Sequence, residues 1–207
     1  GTPENIRKFH PNIIVSSTGS APLLPPIAGL KDRIDNENHN IYSILGMISH
    51  INDFPKDLEG KKVVVVGGGA VGLDVVEFFA DRNADISIVE MMDQIGRDLD
   101  PVSKNDTKTM MKKHNVHQLT KTALLEVKDS SFLVRGDGEP YELPFEYGFV
   151  CLGMRAQGQL YQNLTEEFSS EDVEIMNIGD SQRARRIIDG TQEGRNILTI
   201  LEQKGYF

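Results

Sequence analysis

Apolar and polar positions alternate along this chain in a pattern that predicts strands and helices in turn. The clearest segment is residues 63–66, four consecutive valines, which is too apolar for a half-exposed strand and indicates the centre of a parallel sheet. A glycine-rich turn follows, then apolar residues at helical spacing as far as residue 83, then a second strand over 86–90. Together they predict one strand–turn–helix–strand unit of about 30 residues.

Further elements are predicted on both sides of this unit. Upstream, the pattern predicts a strand at 12–17 and an irregular proline-rich segment at 18–29. A polar loop at 31–40 and a short helix at 41–51 follow. Downstream, an acidic residue before Pro101 marks a helix that runs to residue 113. Strands are then predicted at 116–119, 123–127, 131–135, 141–143, 147–152 and 173–178, with a hairpin turn at 137–138 and a closing helix at 184–204.

These elements predict an α/β protein: a Rossmann-like parallel sheet with helices on both faces and a small antiparallel β-meander. The net charge of −9 over 207 residues makes a surface for nucleic acid or an anionic membrane unexpected. The single cysteine, Cys151, excludes a disulfide framework and a multi-cysteine metal or iron–sulfur site within these residues. No apolar run reaches the roughly 20 residues of a membrane span, and the polar start does not read as a signal peptide. A cytoplasmic location is therefore expected.

The glycine-rich turn carries the most specific chemistry in the sequence. In a dinucleotide-binding turn, the first glycine permits the tight turn, the second lets the backbone approach a pyrophosphate, and the third lets helix and strand pack closely. The phosphates then bind free amides at the positive end of the helix. The predicted cofactor-binding residues of this turn are Gly67, Gly69, Ala70, Val71 and Gly72.

Glu90 completes the motif at the end of the next strand, 18 residues beyond Gly72. Its carboxylate can accept hydrogen bonds from both ribose hydroxyls of an adenosine and would repel a 2′-phosphate. Met91, Met92 and Asp93 follow, so no basic residue is at hand to neutralise such a phosphate. NAD(H) is therefore expected in preference to NADP(H). The alternative is that the glycines only make a tight connection and that Glu90 is a solvated strand end.

Other residues are given ordinary structural interpretations. Cys151 is expected to be an inert buried thiol, and the Met91-Met92 pair is expected to fill the core. His114 and His117 straddle a helix-to-strand change without an evident third ligand, so they are expected to be solvated. Neither a catalytic side chain nor a metal ligand is predicted.

Four motifs follow one another in an order that resembles the pyridine-nucleotide-disulfide-oxidoreductase superfamily. They are IVSSTGS at 14–20 with prolines beyond it, the glycine turn with Glu90, VCLGMR at 150–155 and IGD at 178–180. The closing segment, with three arginines and a Gln-Glu-Gly at 192–194, is similar to one branch of that superfamily. That branch is the C-terminal part of old-yellow-enzyme-like NADH:flavin oxidoreductases, such as 2,4-dienoyl-CoA reductase and trimethylamine dehydrogenase.

The resemblance implies a domain organisation and further site residues. Residues 41–147 would be an inserted NAD(H)-binding Rossmann domain, and 1–30 with 148–207 would be parts of an outer FAD-type domain. Asp74 matches an acidic residue that helps to place the nicotinamide, and Gly153 matches the loop against which that half of the cofactor lies. Gly179 and Asp180 match the turn whose acid contacts the ribityl chain of a flavin.

The departures from that pattern matter as well. These residues lack the first GxGxxG that holds the FAD pyrophosphate, and they lack an FMN-carrying barrel and cluster cysteines. The resemblance therefore implies FAD in the intact protein, with room for FMN and an iron–sulfur cluster in absent N-terminal domains. Gly1 in place of Met is interpreted as the edge of an excised fragment, which is expected to be inactive alone because flavin chemistry belongs to the cofactor.

Three functions remain open from the sequence. The chain is interpreted first as the NAD(H)-binding portion of a multidomain NADH oxidoreductase that passes hydride to a flavin. The alternative is a non-catalytic module that binds ADP or a similar nucleotide for a structural or regulatory purpose. The third is a self-contained NAD-dependent dehydrogenase with its substrate site near the hairpin. The substrate and the oligomeric state are left undetermined.

Overall fold

The computed structural model describes residues 1–206. The helices of this part of the chain are α1 (Pro3–Arg7), α2 (Leu30–Arg33), α3 (Ile44–Ser49), α4 (Ala70–Ala80), α5 (Pro101–Lys113), α6 (Gln159–Glu167) and α7 (Ile187–Gln203), with a 3-10 helix at Gly179–Ser181. The strands are β1 (Ile13–Ser16), β2 (Ser20–Pro22), β3 (Ile41–Tyr42), β4 (Lys62–Val66), β5 (Asp85–Val89), β6 (His117–Leu119), β7 (Ala123–Val127), β8 (Ser131–Arg135), β9 (Tyr141–Pro144), β10 (Tyr147–Val150), β11 (Met154–Ala156) and β12 (Glu174–Asn177).

The chain forms two compact units. One is continuous, Pro22–Gly153, and we call it the continuous unit. The other consists of Gly1–Ala21 and the residues from Met154 onward, and we call it the split unit. These bounds differ from the predicted boundaries at 30, 41 and 148, because α2 and β10 both pack into the continuous unit. The assignment of NAD and FAD domains to the two units stays a prediction.

The continuous unit is built on a parallel sheet of five strands in the order β3-β10-β4-β5-β6. Residues 63–66 of the central strand β4 are all buried, as the run of valines predicts. The register aligns Val150 of β10, Val66 of β4 and Val89 of β5, so three neighbouring strands reach the same edge together. The predicted α/β class with a parallel sheet is confirmed.

The two faces of this sheet are covered differently. Helices α3, α4 and α5 cover one face, where the rings of Phe79 and Phe149 lie 4.8 Å apart between centroids. The other face packs against the antiparallel meander β7–β9 and the four-residue helix α2, which buries Leu30 completely. The predicted meander is therefore present, and it takes most of the space that helices fill on the first face.

The split unit holds less regular structure. Strands β1 and β12 form a parallel pair in which Ile14 lies opposite Ile175. Beside them, α6 buries Leu164, which packs with Ile14 and Phe168 in a small core. The long closing helix α7 buries only Leu201 among its described residues and leaves Ile187 91% exposed.

Some segments differ from the sequence-based expectation. The stretch expected to be irregular contains β2, and the polar segment before the last strand contains α6, whose residues are mostly hydrophilic but bury Leu164. The expectation that the Met91-Met92 pair fills the core is wrong. The two residues are 68% and 39% exposed, because they lie beyond the end of β5 and outside the sheet that the core covers.

The continuous unit begins and ends at one place. The backbone N–H of Leu23 donates a hydrogen bond to the carbonyl oxygen of Gly153 at 2.9 Å, which ties the first residues of the unit to the last. Among residues 1–206, none of the helices combines the length and the apolar character needed to cross a membrane.

Candidate functional site

The turn between β4 and α4 lies at the carboxyl edge of the parallel sheet, where ligands bind in open α/β folds. Gly67 has a φ of +109°, and a Cβ at this position would lie 2.1 Å from the carbonyl oxygen of Cys151. A Cβ on Gly72 would lie 1.9 Å from the carbonyl oxygen of Gly67. Both positions therefore require glycine, one for its backbone conformation and both for the close approach of neighbouring backbone.

Gly69 occupies a different environment in the same turn. It is exposed, and a Cβ built on it would meet no other heavy atom of residues 1–206 within 4 Å. Gly69 is the N-cap of α4, and the first helical residues, Ala70, Val71 and Gly72, are uncharged. Because the first amides of a helix lack intrahelical partners, this end offers N–H donors and a positive dipole to an anion. The space beside Gly69 is the cradle that such an anion would fill.

Glu90 is held against this turn. Its Oε2 accepts a hydrogen bond from the Gly68 N–H at 2.7 Å, and its Oε1 accepts one from the Met92 N–H at 2.7 Å. Each carboxylate oxygen has two acceptor positions, so each retains one for an external donor. The strand end therefore presents a fixed acceptor pair beside the anion-binding end of α4. This arrangement suits a diol next to a phosphate.

A second acidic residue, Asp74, lies one turn further along α4. Loss of water around this carboxylate raises its pKa above the ordinary value. Burial raises the pKa of the Cys151 thiol to about 12, and the nearby Asp74 charge adds to that effect. Cys151 is buried, as expected, and a thiol with a raised pKa stays protonated at neutral pH. Gly153 follows it with a φ of +106° and open space where a side chain would be.

Two cavities flank the glycine turn within the continuous unit. The first, of about 370 Å³, lies between α4 and α5 and is lined by residues that include Leu73, Asp74, Leu99 and Met110. The second, of about 560 Å³, follows β5 and is lined by Met91, Met92, Asp93, Gln94 and Arg97. Arg97 was not singled out by the sequence reasoning, which considered only the three residues directly after Glu90. A basic residue within the first ten positions after the strand was the signal that could have found it.

The remaining predicted residues lie in the split unit. Gly179 has a φ of +66°, and the adjacent Asp180 is half-buried. Asp180 accepts two hydrogen bonds at 3.1 Å, from the Ser20 hydroxyl to Oδ2 and from the Arg185 N–H to Oδ1. Ser20 is distant in sequence and was not predicted as part of this site.

The structure thus sorts the predicted residues into two groups. The continuous unit holds the glycine turn, the acid at the end of β5, an acid on α4 and a glycine after β10. These residues are Gly67, Gly69, Ala70, Val71, Gly72, Glu90, Asp74 and Gly153. The split unit holds Gly179 and Asp180. The first group has the geometry of a nucleotide-binding turn, which defines an α/β protein of the dinucleotide-binding class.

Comparison with known proteins places the chain in a family. The sequence model of the pyridine nucleotide-disulphide oxidoreductase family matches residues 5–176. The chain therefore belongs to the pyridine nucleotide-disulphide oxidoreductase family.

Individual relatives are more distant. The chain is 26% identical to an NADH oxidase of Thermoanaerobacter brockii over 192 residues, which cover 92% of this chain and 28% of the relative. It is 26% identical to a metal reductase of Desulforamulus reducens over 231 residues, 94% of this chain and 32% of the relative. Its fold is similar to a 2-naphthoyl-CoA reductase in complex with 2-naphthoyl-CoA, with a TM-score of 0.77 at 21% identity, over 94% of this chain and 27% of that one. The chain thus spans about a third of the length of these proteins.

Proposed function

We propose that this chain is the NAD(H)-binding portion of a multidomain flavin-dependent NADH oxidoreductase, of the old-yellow-enzyme-like branch of its family. One observation carries the proposal. The open cradle at Gly69 and the fixed carboxylate of Glu90 meet at the N-terminus of α4, as a pyrophosphate next to a ribose diol requires. The names of the relatives, an NADH oxidase and a metal reductase, support redox chemistry with a pyridine nucleotide.

Each predicted site residue of the continuous unit then has a role in binding the cofactor. The amides of Ala70 and Val71 bind the pyrophosphate, and the free acceptor positions of Glu90 bind the adenosine ribose. Asp74 and Gly153 place the nicotinamide half near the end of β10. None of these residues exchanges a proton in our proposal. They bind and orient the cofactor in a pose from which hydride leaves.

The flavin side of the proposal rests on the split unit. Asp180 retains acceptor capacity beyond its two hydrogen bonds, so it fits a ribityl hydroxyl of FAD. When bound, the nicotinamide supplies hydride and the flavin accepts it. The FAD pyrophosphate, FMN and an iron–sulfur cluster would be held by N-terminal domains outside these 207 residues, and these domains are the proposed partners of the chain. We propose that the chain alone is inactive and that the protein is cytoplasmic.

The preference for NADH over NADPH follows from charge. The Glu90 carboxylate lies where a 2′-phosphate would come, which disfavours NADPH. Arg97 lines the neighbouring cavity and is the cation that would oppose this effect. The Arg97→Ala variant therefore measures how far the arginine offsets the carboxylate.

The test is a titration of the chain with NADH and NADPH. Glu90→Ala is expected to weaken NADH binding by about tenfold to a hundredfold, as for the loss of hydrogen bonds to a charged group. Arg97→Ala, the matched variant in the same region, is expected to leave NADH binding unchanged. Tighter binding of NADPH than NADH by the unaltered chain would contradict the preference.

A second variant tests the cradle itself. Gly69→Ala places a methyl group where the pyrophosphate would lie, so it is expected to weaken NADH binding at least about tenfold. Because that methyl meets open space in the free protein, the free energy of unfolding should change by less than about 1 kcal/mol. Unaltered NADH affinity in this variant would rule out the proposed site.

A module that binds ADP without redox chemistry is the second candidate. This candidate rests on the same geometry, because the glycine turn and Glu90 suit the adenosine diphosphate half that ADP and NADH share. Equal affinities for ADP and NADH, with no flavin in the purified full-length protein, would support it over the oxidoreductase.

A further inference from the structure

A cluster of polar groups joins the Gly179–Ser181 turn to helix α7 within the split unit. The Oε2 atom of Glu193, on α7, accepts a hydrogen bond from the backbone N–H of Gly179 at 2.6 Å. The other oxygen of Glu193 forms an ion pair with the guanidinium of Arg185. The backbone N–H of Arg185 in turn donates to Asp180. The cluster therefore contacts the predicted flavin-binding residue Asp180 directly through Arg185, and contacts its neighbour Gly179 through Glu193.

Two bonds hold the Glu193 carboxylate in place, one on each oxygen. The side chains of Glu193 and Arg185 are 26% and 27% exposed and lie at the surface, so these contacts rather than burial set the position of the carboxylate. The hydrogen bond from Arg185, followed by that from Gly179, holds the pKa of Glu193 below its usual range. Glu193 is thus ionised at neutral pH, and a charged acceptor makes a stronger hydrogen bond to an amide than a neutral one. Helix α7 also passes close to the turn, since a Cβ on Gly190 would lie 3.5 Å from the Cα of Gly179.

We propose that Glu193 is a positioning residue for the flavin: it fixes the Gly179–Asp180 turn from α7, and Arg185 holds Glu193 in place. This inference rests on the proposed function, in which Asp180 contacts the ribityl chain. The turn is held from within by the Gln182 N–H, which donates to the Gly179 carbonyl oxygen, and by the hydroxyl of Ser181. The Gly179 N–H, in contrast, is bound from outside the turn by Glu193. Removing that acceptor leaves the amino end of the turn less fixed and shifts the Asp180 carboxylate relative to a bound hydroxyl.

The experiment uses the full-length protein, stripped of flavin and titrated with FAD while flavin fluorescence and the visible spectrum are recorded. Glu193→Met has a similar length but no acceptor, and it is expected to raise the Kd for FAD about tenfold or more. Glu193→Gln keeps a carbonyl oxygen for the Gly179 N–H, so it should restore the Kd to within about threefold of the parent. Glu202→Gln, an exposed carboxylate on the same helix, is the control and should bind FAD as the parent does.

The outcomes separate this inference from the proposed function. If Asp180→Ala leaves FAD binding unchanged, the flavin site itself is refuted. If Asp180→Ala weakens FAD binding while Glu193→Met does not, only the positioning role is refuted. Should Glu193→Met fail to fold, as judged by circular dichroism, Arg185→Ala gives the same information. It leaves the carboxylate without its partner and is expected to raise the Kd about threefold to tenfold, and an unchanged Kd there overturns the role.

Discussion

The two units of this protein bury apolar side chains to very different extents. The continuous unit has a core on both faces of its sheet, with Phe79, Phe132 and Phe149 completely buried. The described residues of the split unit form one small core around Ile14, Leu164 and Phe168. Its α7 is the longest helix in the described residues, yet Ile187, Ile188 and Leu198 on it are 91%, 57% and 66% exposed.

Polar contacts contribute to the packing of the split unit, where buried apolar contacts are few. Arg7 of α1 forms ion pairs with Glu167 and Glu171, and its guanidinium lies 4.7 Å from the centre of the Phe168 ring. Exposed ion pairs contribute about 0 to 1 kcal/mol each, whereas a buried aromatic side chain contributes several times more. The comparison shows that the glycine turn lies in the unit with the larger buried core, and that the proposed flavin-contact turn lies in the unit with the smaller one.

The largest expected effect is in the aromatic core of the continuous unit. Phe79→Ala should lower the free energy of unfolding by about 3 to 5 kcal/mol, because it leaves a cavity beside Phe149, Phe54 and Tyr147. Leu198→Ala on α7 is the matched control and should change it by less than about 0.5 kcal/mol. Denaturant unfolding followed by circular dichroism measures both. Similar decreases in the free energy of unfolding in the two variants would contradict the difference between the two units.

Amide hydrogen exchange compares the units without any substitution. The amides of β4 and β5 should exchange at least about a hundredfold more slowly than those of β1 and β12, since opening of the small core is expected to precede global unfolding. Mass spectrometry of peptides from the four strands gives the rates. If β1 is protected as strongly as β4, the split unit is as stable as the continuous one.

The smallest expected effect concerns the charge of Asp74 in the continuous unit. Desolvation raises the pKa of Asp74 in the folded state, so the ionised carboxylate destabilises the fold once the pH exceeds that pKa. Glu77 and Asp106 line the same cavity and carry the same charge. Asp74→Asn should therefore raise the free energy of unfolding at pH 7, by less than about 1 kcal/mol since the side chain is partly in water. The gain should shrink as the pH falls through the raised pKa of Asp74 and vanish below about 3, where the carboxyl is neutral in both the folded and the unfolded state. A gain in the free energy of unfolding that grows at low pH would contradict a raised pKa of Asp74 in the folded state.

Local signals account for what the sequence predicted well. The bounds of α5 at Pro101–Lys113 are confirmed, because Asp100 caps the helix through hydrogen bonds from the Val102 and Ser103 amides. The buried valines of β4 define a central strand by their own composition. Helix α6 was missed although Leu160, Leu164 and Phe168 recur at helical spacing and pack together, because the residues between them are polar and the segment was interpreted by its polarity.

The candidate site divides in the same way. The glycine turn is local in sequence, and its geometry follows from the residues that it contains. Contacts between separate segments could not be predicted from local sequence. Ser20 donates a hydrogen bond to Asp180 across 160 positions, and Glu193 on α7 accepts one from Gly179. Whether the residues predicted from both units bind their cofactors stays a prediction until the titrations are made.

The hydrogen bond between Leu23 and Gly153 has a consequence for how such a domain travels between proteins. A segment whose first and last residues are neighbours can be lifted out of one chain and placed in a surface loop of another with little rearrangement of the host. The two ends of the continuous unit are thus adjacent, which is the arrangement that insertion of a domain into a surface loop of another protein favours.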